Sequence, residues 1–179
     1  LPAWLENPAD AAALATLRRV LEHNPDHAPA LFAQGAIHEQ AGDTERAEEL
    51  YIHALQKNPR HAESLNNLAN LHLGSERPRE ALELAVRAFQ LAPGNPAILD
   101  TLGYALHVNG DHERAVQVLT RALSLIPDNP TVMYHLALAH QAGGDPATAV
   151  ELLGRALERD DFAEKDQAGQ LLAELSKTS

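Results

Sequence analysis

An all-α fold of stacked helix pairs is predicted by three observations in this 179-residue sequence. The first is a period of 34, kept by Pro25, Pro59, Pro93 and Pro127 and by four further columns. Those columns are Leu31, Leu65, Leu99 and Met133; Gly35, Ala69, Gly103 and Ala137; Ala47, Ala81, Ala115 and Ala149; and Ala54, Ala88, Ala122 and Ala156. Such a period marks a repeat architecture whose units bury a common core by stacking. The second observation is helical spacing inside each copy: Leu99, Leu102, Gly103 and Leu106 fall at i, i+3, i+4 and i+7. The third is composition. Hydrophobic residues make up 45% but aromatics only 4%, so alanine and leucine carry the burial. That balance suits closely packed helices better than sheets.

In chain order, residues 1–27 read as a partial repeat. Ala13, Leu17 and Val20 fit one face of a helix over 8–23, with Trp4 ahead of a break at Pro8. Because the sequence starts partway through a unit, further repeats are expected upstream. Four full copies follow at 28–61, 62–95, 96–129 and 130–163. Their two helices are separated by Gly42-Asp43, Gly110-Asp111 and Gly144-Asp145, where glycine accepts a left-handed backbone and aspartate caps the next helix. The copy at 62–95 replaces this turn with Ser75-Glu76-Arg77-Pro78. Pro78 and Pro146 suit the first position of second helices, and Asn95-Pro96 and Asn129-Pro130 open first helices similarly. Residues 164–179 present Ala168, Leu171, Leu172 and Leu175 on one face, as a terminal capping helix should.

The bulky residue, Leu-Gly, Tyr, Ala, Ala and Pro positions of these copies resemble the tetratricopeptide repeat (TPR). Departures are few: Asp161, for instance, stands where the last proline belongs. The resemblance implies a right-handed α-solenoid, a non-enzymatic protein-interaction scaffold, and ligands held in a concave groove lined by first helices. The stripe beside the buried one then supplies the candidate peptide-binding residues. They are Phe32 and Glu39; Glu63, Asn66, Asn67 and Asn70; Asp100, Thr101, Tyr104 and His107; and Tyr134, His135 and Gln141. The first helices, 28–41, 62–75, 96–109 and 130–143, contain no lysine or arginine. TPR domains that clamp an acidic C-terminus use Lys, Arg and Asn at these slots. Asparagines without cations therefore predict an extended neutral or basic peptide, because amides both donate and accept hydrogen bonds. A spacer or self-assembly module, docking repeat edges end to end, is the alternative. A narrower resemblance of residues 95–153 to bacterial TPR proteins of exopolysaccharide export and cell-surface protein sorting favours a bacterial periplasmic or envelope setting.

Charge and residue types restrict the other classes. With 14 Lys and Arg against 25 Asp and Glu, the formal net charge of −11 opposes binding to nucleic acid or an anionic membrane. No apolar run of about 18 residues is present for membrane insertion, and the absence of cysteine removes thiolate chemistry. Ten histidines raise a metal question. His38, His72 and His140 recur at the repeat period, which sets them about 10 Å apart, whereas metal–nitrogen bonds of about 2 Å need converging ligands. A structural role, imidazole in place of tyrosine, is expected for these three. His107 and His112 straddle a turn, which argues against a shared helix face. No HExxH, Walker loop or GxSxG motif occurs, so neither catalysis nor a cofactor or metal is expected.

Overall fold

The computed structural model describes residues 8–159 and 162–178, and all regular structure among them is α-helical. Trp4 and Asp161 lie outside the described residues. Ten helices follow in order: α1 (Pro8–His23), α2 (Ala28–Gln40), α3 (Thr44–Lys57), α4 (Ala62–Gly74), α5 (Pro78–Leu91), α6 (Pro96–Val108), α7 (His112–Leu125), α8 (Pro130–Ala142), α9 (Pro146–Leu157) and α10 (Lys165–Thr178). The chain divides into two compact units, Leu1–Leu91 and Ala92–Ser179. In the first, α2 packs on α3 and α4 on α5, while α1 packs on α2 and α3 on α4. In the second, α6 packs on α7 and α8 on α9, with α7 and α6 both against α8 and α10 against α9.

The alanine columns are the inside of both units. Ala47, Ala81, Ala115, Ala149, Ala54, Ala88, Ala122 and Ala156 are all fully buried, where a methyl group lets neighbouring helices approach to about 8–10 Å. Leu31, Leu65, Leu99 and Met133 are buried beside them. The glycines of the next column allow a closer approach still. A Cβ on Gly103 would overlap the buried Leu119 of α7, meeting its Cδ2 at 2.8 Å, and a Cβ on Gly35 would meet the Tyr51 ring at 2.6 Å. The equivalent positions in the other copies hold Ala69 with Ala85 and Ala137 with Leu153. The largest partner, Tyr51, thus stands opposite a glycine.

Helix α1 departs from the expected stripe. Leu14 is its buried residue, whereas Ala13 is exposed, Val20 is exposed and Leu17 is half-buried. With α2 as its packing partner, α1 presents the face centred on Leu14 to the core, and Leu21 joins the cluster of Ala28, Leu31, Leu50 and Ala54. At the other end Ala168 is buried, and Leu171, Leu172 and Leu175 are half-buried.

Turns and caps follow the repeat register. Gly42, Gly110 and Gly144 adopt φ of 79°, 88° and 87°, and Asp43, Asp111 and Asp145 accept backbone N–H bonds from Arg46, Arg114 and Thr148. First helices α6 and α8 are capped by Asn95 and Asn129. The earlier copies place His27 and His61 in that slot, each accepting through Nδ1 from the backbone N–H of Ala30 at 3.1 Å or Ser64 at 3.2 Å. In the exceptional turn, Glu76 occupies the glycine position with φ of 57°. Arg77 stands where the capping aspartate would be and forks onto Glu48 of α3 through two 2.8 Å hydrogen bonds.

Two stability outcomes follow from these contacts. Gly103→Ala should destabilise the chain by about 1–3 kcal/mol through overpacking, and Leu119→Ala in the same chain should cost less than the two single changes added; urea unfolding measures both. Glu76→Gly should raise stability by about 1 kcal/mol by removing a left-handed non-glycine residue, read as a higher Tm.

Candidate peptide-binding faces

Each unit brings its candidate residues together on first helices, and the two faces differ in chemistry. In the first unit, α2 and α4 meet around Tyr51 of α3. The Tyr51 hydroxyl, on a fully buried side chain, donates to Glu39 Oε2 at 2.5 Å and accepts from Asn67 Nδ2 at 3.1 Å. Burial pushes its phenol far above the ordinary range; the Asn67 bond opposes this and the Glu39 carboxylate adds to it. Glu39 and Asn67 are therefore committed to an internal network, and Asn66 donates weakly to Asn67 at 3.5 Å. Asn66 is buried, with its Oδ1 lacking a hydrogen-bond partner.

Asn70 remains exposed, and Glu63 lies 3.8 Å from the His61 imidazole. Phe32 packs its ring on Tyr51 and His61, at centroid separations of 5.7 and 5.2 Å. Its other surroundings form an apolar cleft of about 650 Å³, with Phe32, Ala33 and Ala36 on the α2 wall and Ala13, Thr16 and Leu17 on the α1 wall.

In the second unit, α6 and α8 build an aromatic stack. Tyr104 and His135 lie face to face with centroids 4.2 Å apart and planes 11° off parallel. His107 continues the stack at 6.2 Å from Tyr104, and Tyr134 flanks His135 at 5.9 Å. Asp100 anchors the arrangement through a 2.8 Å contact to His135 Nδ1. Thr101 is buried, its hydroxyl donating to the Ala97 carbonyl, so it lines no open surface, whereas Gln141 is exposed.

Three features lie outside the reach of sequence reasoning. Tyr51 sits on a second helix; only its register opposite Gly35 signals it. Glu164, just before α10, reaches α8, where the Thr131 hydroxyl donates to its carboxylate at 3.1 Å. His107 and His112, although on different helices, place their rings 5.1 Å apart, each with a buried Nδ1 that has no hydrogen-bond partner. Burial holds the His107 imidazole down at about 4, and the nearby His112 and His135 push it the same way.

The recurrent histidines have a local structural cause. His38 and His140 reach across the turn to the capping carboxylates Asp43 and Asp145, at 3.1 and 3.2 Å. His72, whose copy lacks that aspartate, turns to Glu48 at 3.3 Å, where Arg77 holds the carboxylate below its usual range. Among the described residues, no three His, Asp or Glu side chains converge as metal ligands, and no helix is long and apolar enough to cross a membrane.

A family model described as Tetratricopeptide repeat matches residues 7–62, 38–96 and 66–130, and a second such model matches 106–175. The chain is a tetratricopeptide-repeat protein. No curated protein matches it. Solved structures match the fold of this TPR chain at low identity. One is PilF of Pseudomonas aeruginosa, with a TM-score of 0.73 at 20% identity over 98% of this chain and 85% of that one. Another is TTC0263 of Thermus thermophilus, with a TM-score of 0.70 at 22% identity over 91% and 90%. YrrB, described as a TPR protein with an unusual peptide-binding site, gives 0.66 at 19% identity over 81% and 75%.

The His107 position makes stability depend on pH. Between about 4 in the folded chain and the ordinary 6.5 of an unfolded histidine, the unfolded chain binds a proton that the folded one does not. Stability is thus present above 6.5 and lost as pH falls toward 4. Urea unfolding across pH 4–7 should show a shallower loss in His107→Gln than in the unsubstituted chain, by less than the one-proton limit of about 1.4 kcal/mol per pH unit.

Proposed function

We propose that this TPR chain is a non-enzymatic scaffold that holds an extended, neutral or basic peptide segment against the faces of its first helices. The observation that carries this reading is the charge of those helices: none has a lysine or arginine, while Glu63, Asp100 and, from the segment before α10, Glu164 supply negative charge. An acidic peptide would meet no lysine or arginine on the first helices, and like charge opposes its approach. Exposed Asn70 and Gln141 offer amide donors and acceptors to a peptide backbone, and Phe32 and Tyr134 offer flat apolar contact at low entropy cost. The peptide-binding site for which YrrB is described supports the same use of this fold.

Asn67 and Glu39 are poor positions for a test, since their removal also disturbs Tyr51. Asn70 and Gln141 are exposed, and a lysine at either should repel a basic ligand. Fluorescence polarisation with labelled extended decapeptides of net charge +2, 0 and −2 should show the acidic peptide binding weakest. Asn70→Lys with Gln141→Lys should weaken the +2 peptide by about tenfold with helical content unchanged. Equal or tighter binding of the acidic peptide, or indifference to both lysines, overturns the reading.

A further inference from the structure

Around Tyr134 the second unit gathers a set of groups that the scaffold does not require. The Tyr104 ring is fixed by its stack on His135, and His135 is fixed by Asp100. Tyr134 stands beside this stack at 5.9 Å from the His135 centroid, half-buried. Thr131, one turn earlier on α8, donates its hydroxyl to Glu164 at 3.1 Å and so holds the carboxylate over the same helix face. The Glu164 charge is felt by both phenols: burial raises each above its ordinary value, Glu164 raises each further, and Tyr104 also acts on Tyr134. Both rings therefore stay neutral at physiological pH, with π faces intact.

Two absences among the described residues complete the picture. Neither the Tyr104 nor the Tyr134 hydroxyl forms a hydrogen bond, and no lysine or arginine forms a salt bridge with Glu164. Asp100, the other carboxylate of this face, is already hydrogen-bonded to His135 Nδ1 at 2.8 Å. What remains is one carboxylate without a cationic partner, two phenol oxygens able to accept, and the ring of Tyr134. A planar cation with several N–H donors fits that set. Guanidinium forks onto a carboxylate and stacks on an aromatic face, whereas an ammonium is a compact, strongly hydrated point charge that does neither as well.

We propose that Tyr134, Tyr104 and Glu164 form a receptor for one arginine side chain of the bound peptide. Glu164 takes the guanidinium edge, the Tyr134 ring takes its face, and Tyr104 supplies a further acceptor. The first unit has no counterpart: the same slots hold Phe32, Asn66, Asn70 and Ala36, and Glu39 is occupied by Tyr51. The second unit is therefore the selective one, and the first offers less specific contact. This inference rests on the peptide-scaffold reading above and names the side chain that the second unit selects.

The test uses the full chain and blocked extended decapeptides of alanine and serine with one central arginine, citrulline or lysine, followed by calorimetry and by amide NMR shifts. The arginine peptide should bind about tenfold tighter than its neutral isostere citrulline, with lysine between them. Its shifts should centre on α8 and the segment before α10. Glu164→Gln should remove the arginine preference, so that arginine and citrulline peptides bind the variant with equal affinity. Tyr134→Leu, which keeps an apolar side chain at the site, should reduce the preference without loss of helix content. Arginine and citrulline peptides of equal affinity, lysine as tight as arginine, or an arginine preference that survives Glu164→Gln each overturn the receptor. If those peptides still bind and Asn70→Lys still weakens them, only the arginine assignment falls. If no peptide binds either face, the scaffold reading falls with it.

Discussion

Everything in this chain depends on how closely its helices approach, and the small-residue columns set that distance. Two alanine columns are fully buried through all four copies, so within each unit the helices meet through methyl groups. The third column adjusts the fit locally: Gly35 makes room for Tyr51 and Gly103 for Leu119. Because the interior is filled by side chains of few atoms, a surplus carbon has nowhere to go, and overpacking becomes the sensitive direction of change. Leucine and methionine in the Leu31 column supply apolar burial, but alanine and glycine determine whether that burial is reachable.

Turn chemistry couples to the same register. Each Gly-Asp turn reverses the chain with a left-handed residue and then caps the next helix with a carboxylate. In the copies at 28–61 and 130–163 the imidazole of His38 or His140 joins that carboxylate. One side chain therefore serves the new helix and ties it to the old one. The copy at 62–95 shows what happens when the motif is absent. Glu76 takes the left-handed position at a conformational cost, and Arg77 compensates by reaching across to Glu48, drawing His72 into the same cluster.

The repeat, its helices, its turns and its buried columns are legible in the sequence because they recur. A position occupied four times by alanine or glycine states its environment without any structure. Contacts between non-equivalent positions carry no such signature. Glu164 approaching Thr131, His107 beside His112, and Glu39 with Asn67 around Tyr51 each join residues whose separation is not a multiple of the period. The stripe beside the buried one does place the candidate residues on the first helices. Periodicity alone does not tell an open face from a closed network, and so Asn66, Thr101 and His135, named from the stripe, are buried. At the start of the chain the stripe misleads, because α1 has α2 as its packing partner and turns Leu14, not Ala13, to the core.

The contrast between columns also separates scaffold from recognition. Core columns hold one residue type or its near equivalent in every copy. The face columns do not: one runs Phe32, Asn66, Asp100, Tyr134, and the next runs Ala33, Asn67, Thr101, His135. A position that tolerates phenylalanine, asparagine, aspartate and tyrosine on the same backbone is not constrained by helix packing. Its residue is set by its neighbours on the face, as Asp100 is by His135 and Asn67 by Tyr51. Stacked repeats thus keep a fixed interior while each face acquires its own chemistry, apolar and amide-bearing in the first unit, aromatic and acidic in the second. On the peptide-scaffold proposal, selectivity resides in the residues that break the period.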